Sequence, residues 1–97
     1  MLTKEIQQAI ISQISPYKPK SIGVFGSYSR DEQSESSDLD LLVDFKNGIN
    51  LLDLIGLEQQ LTELLGVKVD LITEASLHPS LKPYIYSDLK LLFNEER

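Results

Sequence analysis

Cysteine is absent from the sequence, and histidine occurs only once, as His78. Without cysteine the chain can form neither a disulfide bond nor a thiolate metal site, and one histidine by itself cannot build a histidine-based zinc cluster. Any metal bound by this protein must therefore be held by oxygen atoms. His78 is followed by Pro79 and is expected to be a loop residue.

Positive charge is also scarce. Nine Lys and Arg residues stand against fifteen Asp and Glu residues, which gives a formal net charge of -6. This is the wrong sign for holding a phosphate backbone through counterion release, so direct DNA binding is not expected. The stretch from residue 31 to residue 44 has no basic residue and six acidic ones: Asp31, Glu32, Glu35, Asp38, Asp40 and Asp44. Such a run is usually a solvated face.

Long apolar runs are missing as well. The N-terminal residues MLTKEIQQAI contain no uninterrupted apolar segment of the kind that a signal peptide needs. We therefore expect a cytoplasmic protein without a membrane partner. Because 97 residues are too few for two hydrophobic cores, residues 1–97 are expected to form a single domain.

Apolar periodicity and turn residues predict three helices and three strands. Thr3 is a candidate N-cap for the first helix, and Gly66 is a good C-cap for the second. The last helix is expected to begin near Pro83, a favoured first-turn residue, with Tyr84 and Tyr86 packing it. The strands are expected at residues 20–25, 39–45 and 67–73, and the inward residues of the last helix are Ile85, Leu89, Leu92 and Phe93.

This element order predicts an α/β or α+β domain, with a small sheet and helices packed on it. With only three strands, one face of the sheet can be covered by helices while the other stays partly open. Asp38 and Asp40 lie on the less apolar side of the second strand, and Asp70 lies on that side of the third. The three aspartates would converge on the open face if these strands are neighbours.

The aspartates have the chemistry of a magnesium site. Residues two apart on a strand lie roughly 7 Å apart and face the same way, so Asp38 and Asp40 can lean onto one hard cation. Mg²⁺ prefers oxygen ligands, keeps several waters and is completed by substrate phosphates. On this hypothesis Asp38, Asp40 and Asp70 hold magnesium at a nucleotide, and Asp70 is the candidate base for the attacking hydroxyl.

A glycine–serine pair closes the first strand and supplies what carboxylates cannot, which is donors for a triphosphate. The absence of Cβ at Gly26 lets phosphate oxygens approach the backbone. Ser27 adds a hydroxyl and an N–H at the start of a short turn or helix, a position that favours an anion. Arg30, one turn further on, can also reach a phosphate. The pattern predicts that Gly26, Ser27 and Arg30 bind the nucleotide.

Each feature also has an interpretation without chemistry. Alternating Asp and Leu is typical of any half-exposed strand, and a Gly-Ser pair ends many strands simply by making a turn. Arg30 can pair on the surface with Glu32 or Glu35. Asp70 can be a solvated residue beside Lys68, and lysine ammonium groups on these carboxylates would count against the metal hypothesis.

The joint pattern is more specific than its parts. The run GSYSRDEQSESSDLDLLVDF resembles the signature of minimal nucleotidyltransferase (MNT) domains in the DNA polymerase β-like superfamily, and the resemblance extends over nearly the whole chain. In that family the Gly-Ser pair, here Gly26 and Ser27, grips the nucleotide triphosphate. The paired aspartates, here Asp38 and Asp40, bind magnesium, and Asp70 matches the third carboxylate.

The resemblance implies a nucleotidyltransferase fold, a small mixed sheet flanked by helices. For domains of this size it also implies an antitoxin that acts on a HEPN-domain ribonuclease and transfers AMP from ATP to a tyrosine of that toxin. The sequence departs from the commoner family wording G-S-Y-A-R-G-E at Ser29 and Asp31. Aspartate tolerates a left-handed backbone better than most residues, but an extra carboxylate near the phosphates can weaken ATP binding.

Two hypotheses therefore stand. The first is an Mg-dependent protein adenylyltransferase. Because a small domain has little chain left to enclose an acceptor, the acceptor is expected to be a docked protein. A basic toxin would be drawn to the acidic surface of this chain. The second is a catalytically silent antitoxin that neutralises its toxin by binding alone, which Asp31 favours. Transfer to a small molecule such as an aminoglycoside normally needs an additional domain.

Overall fold

The computed structural model describes residues 2–95, which form three helices and one four-stranded sheet. In chain order the elements are α1 (Lys4–Ile14), β1 (Pro19–Phe25), β2 (Leu39–Phe45), α2 (Leu51–Leu65), β3 (Val69–Thr73), α3 (Lys82–Asp88) and β4 (Lys90–Asn94). None of the helices in this part of the chain is long and apolar enough to cross a membrane.

The sheet is mixed and has the strand order β3-β2-β1-β4. β2 runs antiparallel to β1 and parallel to β3, and β4 runs antiparallel to β1. The parallel pair follows from the connection, because α2 returns the chain from the end of β2 to the start of β3. The predicted fold class is confirmed, and so are the predicted residues of β2.

Local capping sets the ends of the two long helices, and the two predicted caps, Thr3 and Gly66, are confirmed. Thr3 Oγ1 accepts a hydrogen bond from the Ile6 N–H at 3.1 Å at the start of α1. Asn50 Oδ1 accepts one from the Asp53 N–H at 2.8 Å at the start of α2. Gly66 ends α2 in the left-handed conformation, with φ 75°. Replacing such an N-cap by alanine costs about 1 kcal/mol.

The hydrophobic core lies between α1, α2 and one face of the sheet. Its twelve buried apolar residues are Ile10, Ile14, Ile22, Val24, Leu39, Leu41, Val43, Phe45, Leu57, Leu61, Val69 and Leu71. Fully burying one such side chain stabilises the fold by about 1.5–3 kcal/mol. Because alternate residues of β2 are fixed in this core, Asp40 and Asp44 must point to the opposite face.

A fourth strand stands where the sequence predicted the end of the last helix. Leu92 and Phe93 lie in β4, not in a helix, and α3 ends at Asp88. β4 pairs with the otherwise free edge of β1. This pairing with a distant strand decides the structure of residues 90–94, although their apolar residues continue the helical spacing of the preceding segment. Gly23 on β1 lets the Leu89 side chain pack closely at the turn into β4, because a Cβ at Gly23 would lie 2.6 Å from Leu89 Cδ1 and displace that side chain.

The second face of the sheet is more covered than predicted. α3 contacts β1 on this face, and Leu42, two residues from Asp40, is buried. The prediction that two tyrosines pack the last helix is wrong: Tyr84 is 75% exposed, and Tyr86 is 43% exposed and donates a hydrogen bond to Glu74. The third strand is also shorter than predicted, since Val67 and Lys68 precede β3.

Candidate active site

The three predicted carboxylates lie at one end of the β2–β3 pair. Asp40 and Asp70 are direct partners in the parallel register, and Asp38 immediately precedes β2. The Leu39 N–H donates to the Lys68 carbonyl at 2.8 Å, which holds the starts of the two strands together. The neighbouring strands therefore bring Asp38, Asp40 and Asp70 together, as the sequence predicted.

The carboxyl group of Asp40 is perturbed by its surroundings. Partial burial, together with the charges of Asp70 and Asp38, raises the pKa of Asp40 to about 6, while Lys68 lowers it by a smaller amount. The fold thus holds Asp40 where its negative charge is unfavourable. A divalent cation beside the three carboxylates would relieve that repulsion, because it favours the ionised form.

Lys68 is the basic residue at this site. Its Nζ lies 3.5 Å from Asp70 Oδ1 and 3.8 Å from Asp38 Oδ2. Both distances exceed the usual hydrogen-bond range, and the Lys68 side chain is 68% exposed. Such an ion pair is weak and readily exchanged for water. The ammonium group therefore neighbours two of the carboxylates without being locked onto them.

Gly26 brings the loop after β1 directly against Asp40. Its φ is 77°, and a Cβ at this position would lie 2.5 Å from Asp40 Oδ2. The loop then folds into a tight turn, in which the Gly26 and Ser27 carbonyls accept hydrogen bonds from the N–H groups of residues 29, 30 and 32. Ser27, the residue after Gly26, is partly exposed. Only glycine combines this backbone conformation with this close approach.

The rest of the loop is tied to the end of α3. Ser29 is buried, at 2% exposed, and its hydroxyl donates to the Asp88 carbonyl. Arg30 pairs with the Asp88 carboxylate and, at 2.9 Å, with Glu32. The predicted nucleotide contact of Arg30 stays a prediction, because this guanidinium already has two carboxylate partners. Asp31 adopts a left-handed conformation with φ 57°, so the turn accommodates it in place of the family's glycine.

Sequence reasoning did not find every residue of the site. Lys68 was named only as a neighbour of Asp70, and the signal for it is its position two residues before Asp70, immediately ahead of the same strand. Asp88 gave no signal, because its partner Arg30 lies 58 residues away in the sequence. Glu58 on α2 also escaped notice; its carboxylate accepts the Leu71 N–H at 2.8 Å along the outer edge of β3.

The donor set suits a magnesium–nucleotide complex. Within residues 2–95, no three His, Cys, Asp or Glu side chains stand in the arrangement of a protein-only metal site. Mg²⁺ does not need one, because it commonly binds through one or two carboxylates, waters and substrate phosphates. All-oxygen ligands, an Asp40 charge that its surroundings disfavour and a loop glycine packed directly against Asp40 fit such a shared site.

Comparisons with known proteins agree with this chemistry. A family model described as nucleotidyltransferase domain matches residues 5–92. MJ1217 of Methanocaldococcus jannaschii, a protein assigned as a protein adenylyltransferase, is 57% identical over 74 residues, which are 75% of this chain and 76% of that protein.

Two solved structures share the fold closely. A chain of a toxin–antitoxin crystal structure with AMP-PNP superimposes with a TM-score of 0.85 at 27% identity, over 93% of this chain and 74% of that chain. A chain of the complex between the tri-AMPylated Shewanella oneidensis HEPN toxin and its MNT antitoxin gives a TM-score of 0.78 at 25% identity, over 94% of this chain and 71% of that chain.

Proposed function

This chain belongs to the nucleotidyltransferase-domain family, and we propose that it transfers AMP from ATP to a tyrosine hydroxyl of a HEPN-type toxin and so acts as an antitoxin. Family membership confirms the resemblance seen in its sequence. The proposal includes Mg²⁺ as cofactor, residues 1–97 as one catalytic domain, and the cytoplasm, where ATP is available, as the place of action.

One observation carries the proposal. Asp40 and Asp70 are paired across neighbouring strands, and the backbone of Gly26 approaches Asp40 so closely that no Cβ fits between them. The carboxylates proposed to hold the metal and the loop proposed to hold the remaining phosphate oxygens are therefore adjacent. Nucleotidyl transfer needs this combination, because catalysis of phosphoryl chemistry is mostly positioning and charge stabilisation.

The chain's residues have separate roles in the proposed reaction. Asp38, Asp40 and Asp70 would hold Mg²⁺, which supplies neutralisation of the negative charge on the triphosphate. Gly26 and Ser27 bind the phosphate oxygens and orient the α-phosphate toward the acceptor. The tyrosine oxygen forms a bond to the α-phosphorus, the bond to the bridging oxygen of the β-phosphate breaks, and pyrophosphate leaves. Asp70 receives the tyrosine proton.

The nature of the acceptor is supported from two sides. The solved neighbours include a complex with an AMPylated HEPN toxin, and the sequence relative is assigned as a protein adenylyltransferase. The net charge of -6 favours encounter with a basic protein over nucleic acid.

A neutralisation assay separates the enzyme from a silent antitoxin. The chain and its Asp38→Asn, Asp40→Asn double variant would be co-expressed with a HEPN-type protein encoded beside its gene, and growth and toxin binding would be measured. We expect the double variant to bind the toxin and fail to restore growth. Equal protection by both proteins would establish neutralisation by binding alone, the function that the Asp31 carboxylate favours.

A further inference from the structure

We propose that Lys68 is a mobile counter-ion of the active site: its ammonium group neutralises Asp38 and Asp70 when no divalent cation is present and moves to the nucleotide phosphates when the metal–nucleotide complex binds. This inference rests on the proposed function, because it assigns a role to a residue of the same site. It adds a residue that the Gly-Ser and Asp-x-Asp pattern does not contain.

The backbone of Lys68 is fixed between the two strands that carry the carboxylates. Its carbonyl accepts the Leu39 N–H at 2.8 Å, and the next residue begins β3. The Lys68 side chain therefore lies near both Asp38 and Asp70, with Nζ to carboxylate distances of 3.8 and 3.5 Å. Strand pairing therefore fixes the backbone of Lys68 where its side chain can reach both carboxylates.

The side chain of Lys68 is free to leave. It is 68% exposed, while the Asp38 and Asp70 side chains are 40% and 37% exposed. An ammonium on a flexible four-carbon stem is a point charge that can exchange partners, and an exposed pair of this kind contributes at most about 1 kcal/mol. The Lys68 ammonium group thus lowers the repulsion between the carboxylates and can still be displaced by a divalent cation.

Competition between Lys68 and a cation has a measurable consequence. A divalent cation arriving alone must displace the ammonium group, so Lys68 weakens metal binding in the absence of nucleotide. A nucleotide arriving with the metal brings phosphates that accept the displaced ammonium group. Lys68 therefore couples the two ligands, so that the site binds the metal–nucleotide complex better than either component.

Manganese binding to the whole chain tests this role without relying on activity. Mn²⁺ binding would be followed by electron paramagnetic resonance, with and without AMP-PNP, for the wild type and for Lys68→Met. We expect Lys68→Met to bind Mn²⁺ alone about five- to tenfold more tightly, as expected for removing one charge a few ångströms from the cation at high effective dielectric. With Mn²⁺ saturating, the same variant should bind AMP-PNP more weakly than the wild type.

Matched variants isolate the position of the charge. Lys46→Met makes the same change at an ion pair with Glu95, roughly 20 Å along the strand direction from Asp40, and should leave both affinities within twofold. Lys68→Arg keeps the charge and should not bind Mn²⁺ more tightly than the wild type. Equal Mn²⁺ affinity in Lys68→Met and wild type would overturn the role of Lys68. If the wild type binds no Mn²⁺, or if its Mn²⁺ binding survives Asp40→Asn, the metal site itself would be overturned.

Discussion

At the scale of single residues, the ionised form of Asp40 lowers the stability of the fold. The pKa of Asp40 is raised to about 6, first by partial burial and then by Asp70 and Asp38. A carboxyl whose folded pKa exceeds its unfolded value stabilises the native state only below the unfolded pKa of about 4, and this contribution is lost as pH rises through 6. Native stability therefore falls between about pH 4 and pH 7 on account of this group.

Asp40→Asn should stabilise the protein at neutral pH. Without divalent cations, we expect the free energy of unfolding at pH 7.5 to rise by on the order of 1 kcal/mol after allowance for solvent screening, and the gain to disappear at pH 4. Thermal unfolding at the two pH values measures this. Asp44→Asn, four residues along β2, is the matched control. A variant that gains nothing at pH 7.5 would contradict a strained Asp40 charge.

Gly26 offers a second test at this scale, because Gly48 provides a matched glycine. Both have positive φ, 77° and 70°, but a Cβ at Gly26 would meet Asp40 Oδ2 at 2.5 Å, while a Cβ at Gly48 meets nothing within 4 Å. Alanine at either position costs on the order of 1 kcal/mol of backbone strain. Only Gly26→Ala should also abolish AMP-PNP binding, measured by calorimetry. Equal nucleotide affinity in the two variants would show that the close approach is unimportant.

The residues of the site could be predicted where their signal is local. Asp38 and Asp40 alternate with core leucines on one strand, and Gly26 ends the strand before, so their faces follow from periodicity. Convergence with Asp70 followed once β2 and β3 were assumed to be neighbours. The contact between Arg30 and Asp88 could not be predicted, because it depends on where α3 crosses the sheet.

At the scale of elements, α3 and the Gly-Ser loop form one unit. The Ser29 hydroxyl donates to the Asp88 carbonyl, and Arg30 pairs with the Asp88 carboxylate. These contacts join the last residue of α3 to the loop that begins at Gly26. Fixing α3 therefore also restricts the loop that is proposed to hold the triphosphate.

Removing the Asp88 carboxylate tests whether Arg30 acts through this tie. Asp88→Ala and Arg30→Ala should each raise the KM for ATP severalfold, and the double variant should be no worse than Arg30→Ala, since both remove one interaction. Glu95→Gln, which breaks the exposed pair with Lys46, serves as control. A much larger loss in Arg30→Ala than in Asp88→Ala would instead indicate a direct contact between Arg30 and phosphate.

The same elements show which parts of the fold local sequence determines. β2 and α2 were predictable because a period of two and a C-terminal glycine agree with their final packing. The start of α3 near Pro83 was predictable as well, but its end was not, because Ile85, Leu89 and Leu92 have helical spacing while the free edge of β1 recruits residues 90–94 as a strand. Sheet pairing between distant segments decided that conflict.

At the scale of the whole molecule, a small acidic domain presents the proposed catalytic residues at an exposed end of the sheet. The Asp38 and Asp70 side chains are 40% and 37% exposed, so the site is open to a large acceptor. A docked protein can supply the exclusion of water that so small a domain cannot provide alone. The net charge of -6 would draw a basic partner to this surface.

The position of the transferred phosphorus tests the central claim most directly. The chain, Mg²⁺ and its HEPN-type partner would be incubated in parallel with ATP labelled at the α- or at the γ-phosphate, and label on the partner would be counted after denaturing electrophoresis. We expect the α-label on the partner, the γ-label in released pyrophosphate, and neither on the partner with Asp40→Asn. Labelling of the partner from the γ-phosphate, or no labelling by the wild type, would contradict transfer of AMP.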